Sequence, residues 1–422
     1  MSTADTMLDS KPGGAPGQPV KARKLNTARV LLLIGLGLIV LSAVRVITGA
    51  DDITSGGAMS AALAAAVPIG LAGLGGLWSE RAGVVNIGLE GMMILGTWGG
   101  AWGALEFGVW GGILTGAIAG ALGGLLHALA TVTFNVDHIV SGVAITILSL
   151  GLARYLASFT FAKMQGGGVT QSPNVPQLPH WSVPGVSALN GLERKGWFVI
   201  SDLAGILRGL FTDVSALTVI AVVLVPVTYY VLWRTSFGLR LRSCGENPHA
   251  AETLGVNVYR YKYYGVVISG ALAGLGGAFL SMVASSIYRE GQTAGRGYIG
   301  LATMIFGNWR PGGLAAGATL FGYTDALQLR RGSESVHALL LFIAVVLVAI
   351  GAYQLVRGGR TVGVASIGIA ALAAVWYFAS DAIPAEFVQA MPYVITLVVL
   401  ALASQRLRPP AADGQPYRKG EG

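Results

Sequence analysis

The chain has 422 residues, 53% of them hydrophobic and only 11% charged, with a mean hydropathy of +0.64. Soluble domains carry about 25% charged residues, so composition excludes a soluble enzyme and indicates a polytopic membrane protein. The formal net charge of +8 does not point to nucleic acid, because the positive residues gather in short loops and termini, as the positive-inside rule produces.

A single cysteine, Cys244, excludes an internal disulfide or a Cys-based metal site. The five histidines lack ligand spacing, and no cofactor is expected. The 62 glycines lie within apolar runs, where small residues let helices approach closely.

Taken in order, residues 1–29 are polar and rich in Pro and Gly, with Lys21, Arg23 and Lys24, and read as a disordered cytoplasmic tail. A long, mainly apolar transmembrane region, 30–404, follows. Its first span, 30–48, resembles a signal peptide in having a basic flank. The run is close to the ~20 residues a bilayer requires, and more spans follow, so a retained helix is expected. Further spans are expected at 57–77, 83–105, 109–133, 138–159 and 214–233. Residues 160–213 interrupt the pattern with glycines, prolines and mixed charge, and read as an external loop with a surface helix near 202–210.

Residues 234–262 carry Arg234, Arg240, Arg242, Arg260 and Lys262, which places this loop in the cytoplasm. Segments then follow at 263–286, 297–308, 312–329, 336–356, 362–380 and 386–404, before a basic cytoplasmic tail, 405–422. A helix over 297–308 reaches only about 18 Å, so it is a half-helix or re-entrant segment, broken at Asn308-Trp309-Arg310-Pro311. The expected fold is an all-α polytopic transmembrane bundle of about 10–12 spans, with both termini inside.

The stretch 79–100 is the most informative. Glu80 and Arg81 open it, and either pair at the membrane surface or contact a partner. Asn86 and Glu90 are four residues apart, which predicts one helix face. A carboxylate at that depth costs several kcal/mol unless paired or wet. Glu90 is therefore a candidate substrate-path group; the competing role is a helix–helix hydrogen bond. Asn86, both donor and acceptor, is a second candidate for the path, and Asn308 joins them because a broken helix offers free backbone groups. Trp98 and Trp102 read as packing or interfacial residues, and Asp137 with His138 as a helix cap.

Two parts of the chain look alike. Gly70-Leu-Ala-Gly-Leu-Gly-Gly-Leu77 resembles Ala271-Leu-Ala-Gly-Leu-Gly-Gly-Ala278, and residues 86–98 resemble 298–309. Gly112, Gly116, Gly120 and Gly124 have a shorter echo in Gly313 and Gly317. On the expected topology the copies, in halves 57–159 and 263–404, run in opposite directions. Such an inverted repeat commonly encloses a midplane substrate path.

Between the halves, Asn247 before Pro248 predicts a capped short helix running to Leu254 and stopped by Gly255. No Gly-Lys dipeptide occurs, so the chain has no P-loop. If nucleotide drives it, another chain binds the nucleotide. An ion-coupled secondary transporter also fits an inverted repeat with a buried carboxylate, but needs no docking helix in the central loop.

Residues 79–93, the Gly245-Glu-Asn-Pro248 to Gly255 loop, and 294–299 through Phe306-Gly-Asn-Trp-Arg-Pro311 resemble the permease subunits of bacterial ATP-binding-cassette importers. The branch is that of the ribose, branched-chain amino-acid and nucleoside permeases, and Ser79 to Gly91 is most similar to its nucleoside, or simple-sugar, group. The resemblance covers 57–335 and again 386–418. It implies no catalysis by this chain, and nucleoside import, with ribose as the sugar alternative. Gly245, Glu246, Asn247, Pro248, Ala251, Leu254 and Gly255 would form the coupling helix on an ATPase subunit. It further implies a second permease, identical or paralogous, an extracellular binding protein or lipoprotein, and a bacterial plasma-membrane location. The chain departs from the family at 337–383, which encodes an extra helix pair within about 336–383.

Overall fold

The computed structural model describes residues 27–384, 386–387 and 407–420. The expected tail at 1–29 and the last expected span, 386–404, fall almost wholly outside these residues.

Among the described residues the chain is all-α apart from one two-stranded antiparallel ribbon, in which β1 (His180–Trp181) pairs His180 with Ser215 of β2 (Val214–Ser215). Its helices are α1 (Thr27–Thr48), α2 (Gly56–Arg81), α3 (Leu89–Ala128), α4 (His138–Thr160), α5 (Leu189–Glu193), α6 (Ile200–Phe211) and α7 (Ala216–Arg234). Then follow α8 (Ser236–Glu246), α9 (Pro248–Thr253), α10 (Val258–Phe279), α11 (Arg296–Phe306), α12 (Pro311–Val356) and α13 (Arg360–Ala379). Among the described residues seven helices are long and apolar enough to cross a membrane. The α3 helix is a hairpin of two: Gly108 sits at φ +77°, ψ 176°, and reverses the chain.

Glycine sets the centre of the bundle. The second arm of α3 lies against α10 through Gly116, Gly120 and Gly124, facing Gly270 and Gly274. A Cβ on Gly120 would lie 2.2 Å from the Gly270 carbonyl oxygen, and one on Gly274 2.3 Å from that of Gly116. These are backbone-to-backbone contacts, the close approach on which helix association in lipid depends. Gly120→Leu is expected to destabilise the bundle by at least about 3 kcal/mol, the upper range for overpacking. The check is loss of the monodisperse peak in mild detergent, with Gly151→Leu, which meets open space, as the control.

Helix directions follow from these contacts. Gly75 of α2 faces Ser269 of α10, and Gly276 faces Pro68, so α2 and α10 are antiparallel. Gly300 of α11 packs on Ile69, Ala72 and Gly73, while Gly76 meets Met304, so α11 runs parallel to α2. The similar segments 70–77 and 271–278 thus lie on oppositely directed helices.

The structure corrects two expectations. Asn86 and Glu90 do not share a helix: α3 begins at Leu89, and Asn86 lies in the unwound stretch before it. Side chains stabilise that unwinding by taking over the freed carbonyls, as described below. The expected break between 312–329 and 336–356 is also absent, and α12 is one helix. Its polar belt at 330–335 contains no proline, so polarity there does not end the helix. Arg330 instead pairs with Asp52 at 3.8 Å, and the Ser333 hydroxyl donates to the Ile383 carbonyl at 2.8 Å. As one rod α12 measures about 69 Å, more than twice the ~30 Å hydrocarbon layer.

The loop at 160–213 is folded down onto the bundle. Asp202 of α6 is buried, pairs with Arg45 at 2.8 Å and accepts from the Thr54 hydroxyl at 2.5 Å. Glu193 accepts from the Gly56 amide at 2.9 Å and pairs with Arg208. The surface helix expected near 202–210 is α6.

Candidate translocation and coupling site

Two unwound stretches meet inside the bundle. Residues 82–88 precede α3, and residues 285–295 precede α11. The first turn of α11 presents amides with no intrahelical partner, at the positive end of the helix dipole. Glu90 meets them: its carboxylate accepts from the Gly295 amide at 2.9 Å and from the Gly297 amide at 2.7 Å. Gly295 takes φ +78°, and a Cβ on Gly297 would lie 2.7 Å from the Glu90 Cα, so both positions need glycine. The buried charge is thereby satisfied by a helix N-terminus.

Asn86 is fully buried and donates from Nδ2 to the Ser269 hydroxyl at 2.9 Å. Its Oδ1 has no hydrogen-bond partner among the described residues. A buried acceptor left open costs free energy unless water or a ligand fills it.

The unwound stretch 82–88 is held carbonyl by carbonyl. The Lys262 ammonium donates to Gly83 at 3.3 Å, the Ser79 hydroxyl to Val84 at 2.6 Å, and His127 Nε2 lies 3.0 Å from the Val85 oxygen. The Val85 amide donates to His138 Nδ1 at 3.2 Å. Unwound backbone at membrane depth requires such partners. Sequence reasoning missed His127 and Lys262, and treated His138 as part of a cap. The available signal was a lone polar residue in an apolar run for His127, whereas Lys262 and His138 lie among other polar residues at segment ends. Asp137 does cap α4, accepting from the amides of Ile139 and Val140 at 2.9 Å.

Asn308 lies elsewhere. It follows α11 at the end opposite Glu90, separated by a helix of roughly 16 Å, and its Oδ1 accepts from the Arg408 amide at 2.8 Å. Asn308 and Trp309 both take left-handed φ values, 53° and 52°. Trp309 is fixed from α2: its indole donates to Glu80 at 2.5 Å, and its carbonyl accepts from Arg81 at 2.8 and 3.2 Å. Glu80 and Arg81 thus hold the end of α11 rather than each other. Arg81 also pairs with Glu246 at 3.5 Å.

The central loop forms the short helices α8 and α9. Asn247 caps α9 by accepting from the Ala250 amide at 3.0 Å, Pro248 opens it, and Gly255 at φ +80° ends the turn after it. Pro248 and Ala251 are buried, whereas Leu254 is 84% exposed and projects outward. Gly245 is wedged against the end of α2, where a Cβ would lie 2.4 Å from the Arg81 carbonyl. Burial pushes the Cys244 thiol up to about 11, so it stays a neutral packing group.

Residues 407–420 lie across this surface. The Ala412 amide donates to the Gly245 carbonyl at 2.9 Å and the Ala411 amide to Glu246 at 3.3 Å. The Tyr417 hydroxyl donates to Glu252 of α9 at 2.6 Å. Burial, and then the Glu80 carboxylate, push the Asp413 carboxyl well above the ordinary aspartate range. Sequence reasoning treated this segment only as a tail.

Among the described residues no group of three or more His, Cys, Asp or Glu is placed to hold a metal. The family described as "Branched-chain amino acid transport system / permease component" matches residues 58–351. The chain is 35% identical to the nucleoside ABC transporter permease protein NupC of Lactococcus lactis, across 84% of this chain and 94% of that protein. It is 34% identical to the guanosine ABC transporter permease protein NupQ of Bacillus subtilis, across 64% of this chain and 81% of NupQ. Identity to the putative glucose ABC transporter permease protein TsgC13 of Haloferax volcanii is 36%, across 66% and 79%. No solved structure matches.

Proposed function

Because the chain belongs to the branched-chain amino acid transport system permease family, we propose that it is the transmembrane subunit of an ATP-driven nucleoside importer. It carries no catalytic chemistry; a separate ATPase subunit hydrolyses ATP, and a substrate-binding protein delivers cargo outside. A second permease, identical or paralogous, completes the path. Both termini face the cytoplasm of a multi-pass membrane protein. The halves 57–159 and 263–404 act as inverted copies, and Asn86 and Glu90 line the path between them. Family membership favours ATP-driven over ion-coupled transport.

The observation that carries this reading is the buried Glu90 carboxylate at the start of α3 holding the amides that open α11, with the Asn86 Oδ1 acceptor unpaired within the protein in the unwound stretch before α3. That is the arrangement in which discontinuous membrane helices bind a polar solute. A nucleoside offers both hydroxyls and base-edge donors to the Asn86 Oδ1. A sugar is the second reading, favoured by the similarity to TsgC13.

The test is uptake of radiolabelled guanosine by cells expressing the complete importer. Depleting ATP while keeping the ion gradient is expected to stop uptake; persistence overturns the proposal. Excess unlabelled adenosine is expected to compete and excess glucose to leave uptake unchanged. Competition by glucose alone transfers the assignment to the sugar reading.

A further inference from the structure

Residues 407–420 are more than a tail packed on a surface. Pro410, Ala412 and Tyr417 point inward and are buried, while Ala411, Gln415, Pro416 and Arg418 point outward. The segment makes its inward contacts with three parts of the protein that are distant in sequence. Toward the membrane, the Arg408 amide bonds Asn308 at the end of α11. At its middle, Ala411 and Ala412 bond Glu246 and Gly245, where α8 passes to α9. At its far end Tyr417 bonds Glu252 of α9 and packs its ring 5.4 Å from His249 and 5.3 Å from Tyr259.

We propose that this segment is a positioning strap that ties α9 to the cytoplasmic end of α11, so that a push on α9 is delivered to the helix whose other end rests on Glu90. The inference rests on the proposed ATPase docking at α8 and α9. Without the strap, the route from α9 toward α11 runs only through the end of α2, by the packing of Gly245 on the Arg81 carbonyl and by the 3.5 Å Arg81–Glu246 pair, in which Glu246 is half exposed. Such a solvent-exposed ion pair holds geometry weakly. The strap adds three backbone-amide donors, to Asn308, Gly245 and Glu246, which cannot rotate away as a long side chain does. It also buries an aromatic ring against α9. The α11 helix is short and ends on glycine-tight contacts at both ends: Gly297 against Glu90, and Gly307 against Gly313 and Leu314. Displacement at Asn308 is therefore carried to Gly295 and Gly297 with little slack.

The test uses the complete importer reconstituted in proteoliposomes with Tyr417→Ala, Tyr417→Phe and Glu252→Ala. Phe keeps the ring, and Glu252→Ala changes a partly exposed helix position, so it removes the hydroxyl's acceptor without disturbing the core. The readout is ATP hydrolysed per guanosine moved, together with the amount of ATPase that copurifies. Tyr417→Ala is expected to keep the ATPase and raise the ratio at least fivefold, Glu252→Ala to raise it at least twofold, and Tyr417→Phe to match Glu252→Ala. A wild-type ratio in both Tyr417→Ala and Glu252→Ala overturns the strap. So does loss of the ATPase from Tyr417→Ala, which makes the segment part of the dock instead. If the wild-type chain itself retains no ATPase, the docking assignment fails first, and the two failures are told apart.

Discussion

Replacing Glu246, Asn247 and Pro248 with a Gly-Ser stretch is expected to abolish ATP-driven uptake, with a loss of at least about 100-fold, while the chain remains inserted and monodisperse. Helix α9 spans only Pro248–Thr253, far below the ~12 residues at which helices persist alone in water. Its existence depends on what holds its ends. Loss of the Asn247 cap costs about 1 kcal/mol, and loss of Pro248 frees a φ angle already set for the first helical position. Loss of Glu246 removes its contacts with Arg81 and with the Ala411 amide. Leu254, 84% exposed, then has no rigid base from which to project. The measurement is ATPase recovered with the permease from mild detergent, alongside uptake. Full recovery with full uptake refutes the coupling role of Gly245, Glu246, Asn247, Pro248, Ala251, Leu254 and Gly255.

The second large effect is expected at Glu90. Glu90→Ala leaves two buried amides, those of Gly295 and Gly297, without their acceptor, and each orphaned group costs about 1–3 kcal/mol. The start of α11 then loses its fixed position, and uptake is expected to fall by at least about 100-fold, equivalent to roughly 2.7 kcal/mol at the transport step. Glu90→Gln keeps an acceptor oxygen but loses the charge that the helix N-terminus favours. It should retain more activity than Ala. ATPase copurification is expected to be normal in both, because α8 and α9 are untouched. Asn86→Ala separates the roles: it leaves α11 capped, so it should raise the substrate concentration at half-maximal uptake more than it lowers the maximal rate. Full uptake by Glu90→Ala in an assembled importer removes this residue from the path.

Much of the bundle was legible because its cause is steric and local. The stripe Gly112, Gly116, Gly120 and Gly124 repeats every four residues; a Cβ on Gly120 or Gly124 would meet α10 backbone at distances no Cβ tolerates, and one on Gly116 would meet the Ala278 side chain. Asn247-Pro248 and Gly255 mark the ends of α9 for reasons that operate within a few residues. Glu90 was conspicuous as an isolated charge, yet its partners were not. They are backbone amides more than 200 positions away, and a backbone amide has no letter in the sequence. The segment 407–420 was missed for the same reason, since Arg408, Ala411 and Ala412 act through their main chains. The expected break in α12 erred in the other direction. A run of polar residues at 330–335 suggested a loop, but a helix tolerates polar residues wherever it leaves the lipid or finds partners such as Asp52.

Asn308 and Trp309 carry a mechanical consequence. Consecutive non-glycine residues at φ 53° and 52° hold about 1–3 kcal/mol each of backbone strain. That conformation persists because Glu80, Arg81 and the Arg408 amide grip both residues. The foot of α11 is thus a loaded spring with its latch on a neighbouring helix. Freeing these two residues from Glu80, Arg81 and the Arg408 amide would let that strain relax.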